Sequence, residues 1–388
     1  MKFSCKTSDL LTGLNLVSRA ISKQQTLPIL GNVLLHAEGK RCTLSGTNLE
    51  LSIITTIDAN IENEGGVTIP IKAILNFVQF NEDPEILLET AEGTQLKLKS
   101  KRAKAIIAGE AVSEYPVITP IEKQITFNLP IDPLLEALNA VTFSCAKTTS
   151  RPVLSGVYVH TEKGSLVLVG TDSYRLSEYK LAVSGMSGDI SCIIPAKVLE
   201  ELRVIIGGKP QDEEPSPKKG EKKEKKTKGQ GTIEVHLGSQ QIEVHSGSTQ
   251  LLSRLIDGKF PNYTQILPKE KSTTITIPTH DLFTAIKRMH YFAKETNNNI
   301  TFSVEGDSLK LTTQETQLGK DESTIAIEKQ GENNKIALSS SYILDYLSHT
   351  ESDSLTVELS DKQHPAVFKT ASHPESLHLI MPLRMSGE

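Results

Sequence analysis

Ile125-Thr126-Phe127, followed by Leu134, Leu138, Val141 and Cys145, decides the fold, because the chain writes this pattern three times. The N-terminus opens Met1-Lys2-Phe3-Ser4 and carries Leu10, Leu14, Val17 and Ile21. Further on, Ile275-Thr276-Ile277 leads to Leu282, Ile286, Met289 and Ala293. In each copy the apolar steps are four, three and four residues, which stack the side chains on one stripe of a helix after a short strand. Leu10, Leu134 and Leu282 lie 124 and 148 residues apart. Those are domain-sized intervals, far longer than the repeat of a solenoid.

The rest of each unit repeats as well. Ile69-Pro70-Ile71-Lys72-Ala73-Ile74-Leu75, Ile194-Pro195-Ala196-Lys197-Val198-Leu199 and Leu338-Ser339-Ser340-Ser341-Tyr342-Ile343-Leu344 each predict a second helix. Between the helices, Leu44-Ser45-Gly46-Thr47, Leu168-Val169-Gly170-Thr171 and Leu311-Thr312-Thr313 read as strands ending on threonine. Tyr115-Pro116 through Pro120 and Phe260-Pro261 through Pro268 close the first two units alike. Leu96-Lys97-Leu98-Lys99 and Ile242-Glu243-Val244-His245 alternate with period two, the pattern of a sheet with one wet face. The class is therefore α+β: three tandem domains, each with two helices packed on antiparallel sheet, at 1–121, 122–270 and 271–388.

Composition accounts for the unequal spacing. The second interval is longer because of a stretch at about 208–231 with eight lysines, five acids and no large apolar residue. It cannot bury enough surface to offset the entropy of ordering it, so it reads as a disordered insertion. A basic arm touching nucleic acid or a partner is the alternative. The net charge of −5 argues against a protein that holds DNA by overall positive charge. Cys5, Cys42, Cys145 and Cys192 are too scattered for a zinc or redox pair and read as small buried thiols of a reduced, cytoplasmic protein. The polar start Met1-Lys2-Phe3-Ser4-Cys5-Lys6 has no signal-peptide core, and no stretch reaches the length of a membrane span.

Motifs of catalysis are missing. Gly39-Lys40, Gly208-Lys209, Gly258-Lys259 and Gly319-Lys320 lack the upstream glycine of a phosphate-binding loop, and no Gly-x-Ser-x-Gly elbow occurs. His373 and His378 lack helix-face metal spacing. Asp172 and Arg175 could serve as acid and anion clamp, but in a strand-turn-strand they read first as a structural ion pair. The expectation is a non-enzyme without metal or cofactor.

Thr171-Asp172-Ser173-Tyr174-Arg175-Leu176, Leu255-Ile256-Asp257-Gly258-Lys259-Phe260-Pro261, the ending Met381-Pro382-Leu383-Arg384-Met385 and Thr26-Leu27-Pro28-Ile29-Leu30-Gly31-Asn32 belong together. With the threefold repeat, they resemble the bacterial DNA polymerase III beta subunit family, the replicative sliding clamps, over the whole chain except the lysine-rich insertion. The resemblance implies a head-to-tail homodimer whose six domains close a ring around double-stranded DNA, acting as a processivity factor. It implies a pocket for a short peptide of the polymerase III alpha subunit, the clamp-loader delta subunit and other proteins carrying the clamp-binding motif. Carried over, that pocket uses Leu154, Thr171, Ser173, Tyr174, Arg175, Leu176, Pro261, Ile266, Met381, Pro382, Leu383, Arg384 and Met385. Met and Leu re-pack around varied apolar anchors, and Arg175 and Arg384 can orient polar groups.

The resemblance likewise implies DNA-facing cations, for which Arg19, Lys23, Lys72, Arg151, Lys197, Arg203, Lys287 and Arg288 are the candidates. At the subunit joint, Lys101, Arg102, Lys104 and Ile107 would face Glu315, Asp321 and Glu322 of the second chain. Gln265 stands where many relatives carry arginine, Tyr174 where histidine is frequent and Val153 where some carry an aromatic residue. Ala105 thins the apolar part of the joint, which implies a looser dimer, and Ser386-Gly387-Glu388 extend past the usual end. A DNA-binding protein acting by contact, without topological linkage, is the alternative reading.

Overall fold

The computed structural model describes residues 1–21, 27–91, 94–148, 150–183, 188–207 and 231–384. The lysine-rich insertion, Lys23, Met385 and the Ser386–Glu388 extension therefore lie outside the described residues. Six helices follow the expected stripes: α1 (Thr7–Ser18), α2 (Ile71–Gln79), α3 (Ile131–Val141), α4 (Ala196–Gly207), α5 (Thr279–Ala293) and α6 (Ser340–Ser348). Leu10, Leu14 and Val17, then Leu134, Leu138 and Val141, then Leu282, Ile286, Met289 and Ala293 are all buried. α1 and α3 stop one turn early, so Ile21 and Cys145 continue the stripe from the turns beyond them.

By contacts the chain forms two compact units, one from Met1–Asp132 and Glu200–Leu255, the other mainly from Pro133–Ser184, Asp189–Leu199 and Ile256–Glu388. The first holds a five-stranded sheet in the order Asn60–Asn63, Lys2–Lys6, Glu85–Thr90, Leu96–Lys99, Lys104–Ile107. Its eight-stranded sheet runs Ile125–Pro130, Thr232–Leu237, Gln241–Ser246, Thr249–Arg254, Leu51–Asp58, Arg41–Thr47, Asn32–Glu38, Gly65–Pro70. The second unit has a nine-stranded sheet: Ser191–Pro195, Gly156–Glu162, Ser165–Thr171, Arg175–Ala182, Ser376–Ile380, Ala366–Thr370, Ser354–Leu359, Thr273–Pro278, Glu328–Gly331. Its four-stranded sheet runs Glu322–Ala326, Ser308–Thr313, Asn299–Glu305, Asn334–Ser339. All pairings are antiparallel, as the alternating strands require.

The two long sheets explain how a threefold repeat gives two units. In the first, Thr249–Arg254 of the second copy pairs with Leu51–Asp58 of the first, with Leu251 opposite Ile53. In the other, Arg175–Ala182 of the second copy pairs with Ser376–Ile380 of the third, with Ser177 opposite His378. The second copy thus lends half its strands to each unit.

Two of the three threonine-terminated strands, those ending at Thr47 and Thr171, end in one and the same turn, whereas Thr313 bonds to Asp321 eight residues on. Thr47 Oγ donates to the Leu51 carbonyl at 3.2 Å, and Thr171 Oγ to that of Arg175 at 2.6 Å. Asn48 Oδ1 accepts the amides of Glu50 and Leu51, as Asp172 Oδ1 accepts those of Tyr174 and Arg175. The third turn residue is left-handed in both, Leu49 at φ 75° and Ser173 at φ 80°. Just upstream, Gly46 and Gly170 let the first helix of each copy approach. An added Cβ would lie 2.4 Å from the Val17 carbonyl oxygen and 2.5 Å from that of Val141.

Backbone cannot yield as a side-chain tip can, so Gly170→Ala should cost about 1–3 kcal/mol by overpacking. Thermal melting should show a lowered midpoint, while alanine at Gly31, whose Cβ would meet nothing and whose φ is ordinary, should show a far smaller change.

Candidate functional site

The turn after Thr171 is the centre of the candidate site. Its hydrogen bonds fix Ser173 and Tyr174 outward while turning Arg175 in: Tyr174 is 62% exposed and Arg175 only 4%. Arg175 is fully engaged within the chain. Nε donates to Asp172 Oδ2 at 3.1 Å, Nη1 to Asp345 Oδ2 at 2.8 Å and Nη2 to the Phe143 carbonyl at 2.9 Å. The guanidinium also lies over the Tyr342 ring, 4.7 Å from its centroid. The expectation that Arg175 orients a bound molecule's polar groups therefore changes. It is a buried staple between α6, the turn and the Phe143 segment, and the ion pair with Asp172 is structural. A buried ion pair needs further hydrogen bonds to offset its desolvation, and here each of the three guanidinium nitrogens donates one.

Beneath the turn is an apolar floor. Leu154, Leu176, Val167, Val169, Ile193, Phe260, Tyr263 and Leu379 form one buried cluster, with Val153, Leu267 and Met381 half-buried against it. Phe260 stacks on Tyr158 at 4.9 Å, and the Tyr263 hydroxyl reaches His160 Nε2 at 3.1 Å. The C-terminal segment closes one side, with the Met381 amide on the Tyr174 carbonyl at 2.9 Å and the Leu383 amide on that of Ala337 at 2.8 Å. Pro382 and Leu383 are half-buried, while Pro261, Ile266 and Arg384 are exposed. Ile266 and Met381 also line a cleft of about 740 Å³, shared with Gln265, Leu267 and Lys269. Such a surface offers apolar anchoring beside exposed backbone and a phenol, suited to a short peptide. Sequence reasoning missed Asp345, Phe143 and His378, which support the turn from 170, 32 and about 200 residues away.

The candidate cations fall into two groups. Lys72, Lys197 and Lys287 are exposed on α2, α4 and α5. Others are paired within the chain: Arg19 with Glu201 at 3.2 Å, and Arg288 in a two-pronged pair with Asp321 at 2.9 and 3.0 Å. Arg151 Nη1 donates to Ser173 Oγ at 3.1 Å, which puts it on the rim of the apolar site. Arg203 is half-buried on α4.

Among the joint candidates, Lys101, Arg102 and Lys104 are exposed at the edge of the five-stranded sheet. There it is Ile106, at 63%, that presents the apolar surface, and Ile107 is half-buried. Asp321 and Glu322 lie at the edge of the four-stranded sheet, with Glu322 also paired to Lys310 and Lys320, and Glu315 is exposed nearby. Glu136, His373 and Glu375 bring donor atoms within 4.8 Å of one another, with Tyr179 donating to Glu375 at 2.9 Å.

Three family models match the chain: the DNA polymerase III beta subunit N-terminal domain at residues 1–119, its central domain at 128–213 and its C-terminal domain at 264–384. The beta sliding clamp of Synechocystis sp. is 27% identical over 407 residues, covering 99% of this chain and 100% of the relative. That of Haemophilus influenzae is 27% identical over 387 residues, with the same coverage. The DNA polymerase sliding clamp from Bacillus subtilis superposes with a TM-score of 0.90 at 24% identity, over 99% of both chains. A Pseudomonas aeruginosa sliding clamp solved with griselimycin gives 0.89 at 24% identity, over 99% of this chain and 100% of that one.

His378, beside the staple, makes the site sensitive to acid. It is wholly buried, hydrogen-bonded to Ser177 Oγ at 2.8 Å and stacked on Tyr346. Burial first, then Arg175 and His349, holds its pKa well below the usual 6.5. The unfolded chain takes up a proton that the fold refuses, so this stability is complete above about pH 6.5 and is lost as the pH falls below it. His290, lowered mainly by burial, acts in the same direction. The unfolding free energy measured in urea should fall between pH 7 and pH 5, by up to about 1.4 kcal/mol per pH unit from His378. His378→Phe should flatten that slope; an unchanged slope would remove His378 from the account.

Proposed function

This chain belongs to the DNA polymerase III beta subunit family, and we propose that it encircles duplex DNA as a head-to-tail homodimer. It is a sliding clamp, the processivity factor of the replicative polymerase. Its role is to tether rather than to catalyse, and the cytoplasm is where it would meet DNA. The domain boundaries we propose are 1–121, 122–270 and 271–388.

One observation carries the ring. The first and second copies, and the second and third, are joined by the same antiparallel strand pair, while the corresponding edges of the first and third copies remain open. The matching positions can be followed strand by strand. Ser253 and Ile380 hold the same place in their copies as Ile107 in the first, next to Ile242, Ala366 and Leu96. Across the existing joints they face Leu51 and Arg175. The third-copy counterpart of those is Gly319, because Leu309 and Leu311 occupy the places of Cys42 and Leu44. Running that register onto a second chain sets Ile106 against Lys320, Ala105 against Asp321 and Lys104 against Glu322. The last is an opposite-charge cross-strand pair. A rotation repeated at equivalent joints is what closes a ring.

The joint is electrostatically modest. Arg288, Lys310 and Lys320 already share Asp321 and Glu322 within the chain, which agrees with a loose dimer. Lys72, Lys197 and Lys287 are the exposed cations proposed to face phosphates, with Arg19 and Arg288 tempered by Glu201 and Asp321, and Arg203 half-buried. Sliding needs such weak contacts, since topology supplies retention. The apolar site under Tyr174 is proposed to dock a short peptide of the polymerase alpha subunit, the clamp-loader delta subunit and other clamp-binding proteins. Each buried Leu or Phe anchor contributes roughly 1.5–3 kcal/mol. After the cost of association, about micromolar affinity remains, suited to partners that exchange.

Loading onto nicked circular DNA with a clamp loader and ATP tests the reading. The protein should stay on circles through a salt wash and leave once the DNA is cut. Retention that salt abolishes and cutting does not would favour the contact-binding alternative.

A further inference from the structure

We propose that the first copy carries a second peptide-docking site, built on the Thr47–Leu51 turn, for an extended apolar peptide bearing a carboxylate. The proposal rests on the reading of the Thr171–Arg175 turn as a peptide site, and deepens it.

The two turns match in their backbone and capping hydrogen bonds, and so do the backbone bonds that flank them, although Leu51 stands where the second copy has Arg175. The Arg254 amide donates to the Glu50 carbonyl at 3.0 Å, as the Met381 amide donates to that of Tyr174 at 2.9 Å. Leu30 and Leu154, both buried, each donate an amide to the carbonyl three residues back, on Leu27 and Arg151. Tyr115 fills the place of Phe260, its hydroxyl on the Ser45 carbonyl at 3.2 Å. What differs is the side chains: the floor positions Val167, Val169 and Leu176 are Thr43, Ser45 and Ser52 here, so the apolar surface is carried by the rim. Arg151 and Ser173, which touch each other at the second-copy turn, are replaced by Leu27 and Leu49. These two are 49% and 48% exposed, and Val117, two residues after Tyr115, is 87% exposed.

Leu49 is the residue hardest to explain as filler. A left-handed backbone at φ 75° suits Gly or Asn, and a bulky side chain there is an outlier. This leucine is strained and also largely in water, so neither local geometry nor the core accounts for it. Strain of this kind collects at binding sites. The occupant's charge follows from Arg254, which stands exposed where the second-copy site has half-buried Met381. Among the described residues no carboxylate lies within ion-pair distance of it, so a carboxylate on the peptide would complement it.

Calorimetric titration of the full-length chain with acetyl-Asp-Leu-Phe-Leu-amide should show two sites per chain. Leu49→Gly should remove one of them while leaving the melting temperature equal or higher, since glycine relieves the strain. Met381→Asp should remove the other. Arg254→Glu should weaken the site that survives in Met381→Asp, and make it prefer acetyl-Lys-Leu-Phe-Leu-amide. A single site that Met381→Asp abolishes and Leu49→Gly leaves intact would overturn the proposal and leave the Tyr174 pocket standing. A single site with the reverse behaviour would uphold the proposal and refute that pocket. No binding at either would overturn both.

Discussion

An unpaired strand edge is the constraint on which the rest of this structure depends. Each copy of the repeat carries two strands at joint-forming edges, six in all, and an open edge invites any strand that fits it. The chain satisfies four of the six by pairing its copies in tandem, through Leu251 opposite Ile53 and Ser177 opposite His378. The remaining two, Lys104–Ile107 and Glu322–Ala326, cannot be treated as incidental, because they occupy the same places in the repeat as strands that do pair. Lys104 and Glu322 have opposite charges, so each edge discourages its own kind and accepts the other. In the proposed ring, the type of strand pair that builds the single chain also joins the two chains.

The same joints create the functional surfaces. A turn must leave each junction, and the Thr-Asp-Ser-Tyr-Arg turn does so with its backbone amides internally satisfied, which leaves Tyr174 exposed above the apolar floor. Arg175 shows how closely structure and site are shared. Its guanidinium binds Asp345 of α6 and the Phe143 carbonyl, so a change in the third copy's helix would be felt at the turn. Removing both Asp172 and Asp345 would strand a buried charge, which is far costlier than losing a surface pair.

Much of this was legible in the sequence, for reasons that can be named. The 4-3-4 stripes of Leu10, Leu134 and Leu282 announced three first helices because a helix has only one spacing that keeps side chains on one face. The second helices and the threonine turns followed from the same repetition. Strand partners across copies were not legible, since pairing between Thr249–Arg254 and Leu51–Asp58 depends on tertiary placement. Arg175 looked like a ligand-orienting cation because its partner Asp345 lies 170 residues away, and Ile107 looked like the joint's apolar contact because a two-residue period does not say which neighbour faces out. Arg288 looked free for phosphates until Asp321 was found beside it.

The most direct test of the shared joint is disulfide trapping between chains. Cysteines placed at Lys104 and Glu322 should sit opposite each other across the new strand pair, within the Cα separation a disulfide tolerates. The double variant should oxidise to a covalent closed dimer in high yield, while Lys104→Cys with Thr324→Cys, two residues out of register, should not. Equal trapping of both pairs, or trapping of the second alone, would contradict a third joint built like the other two.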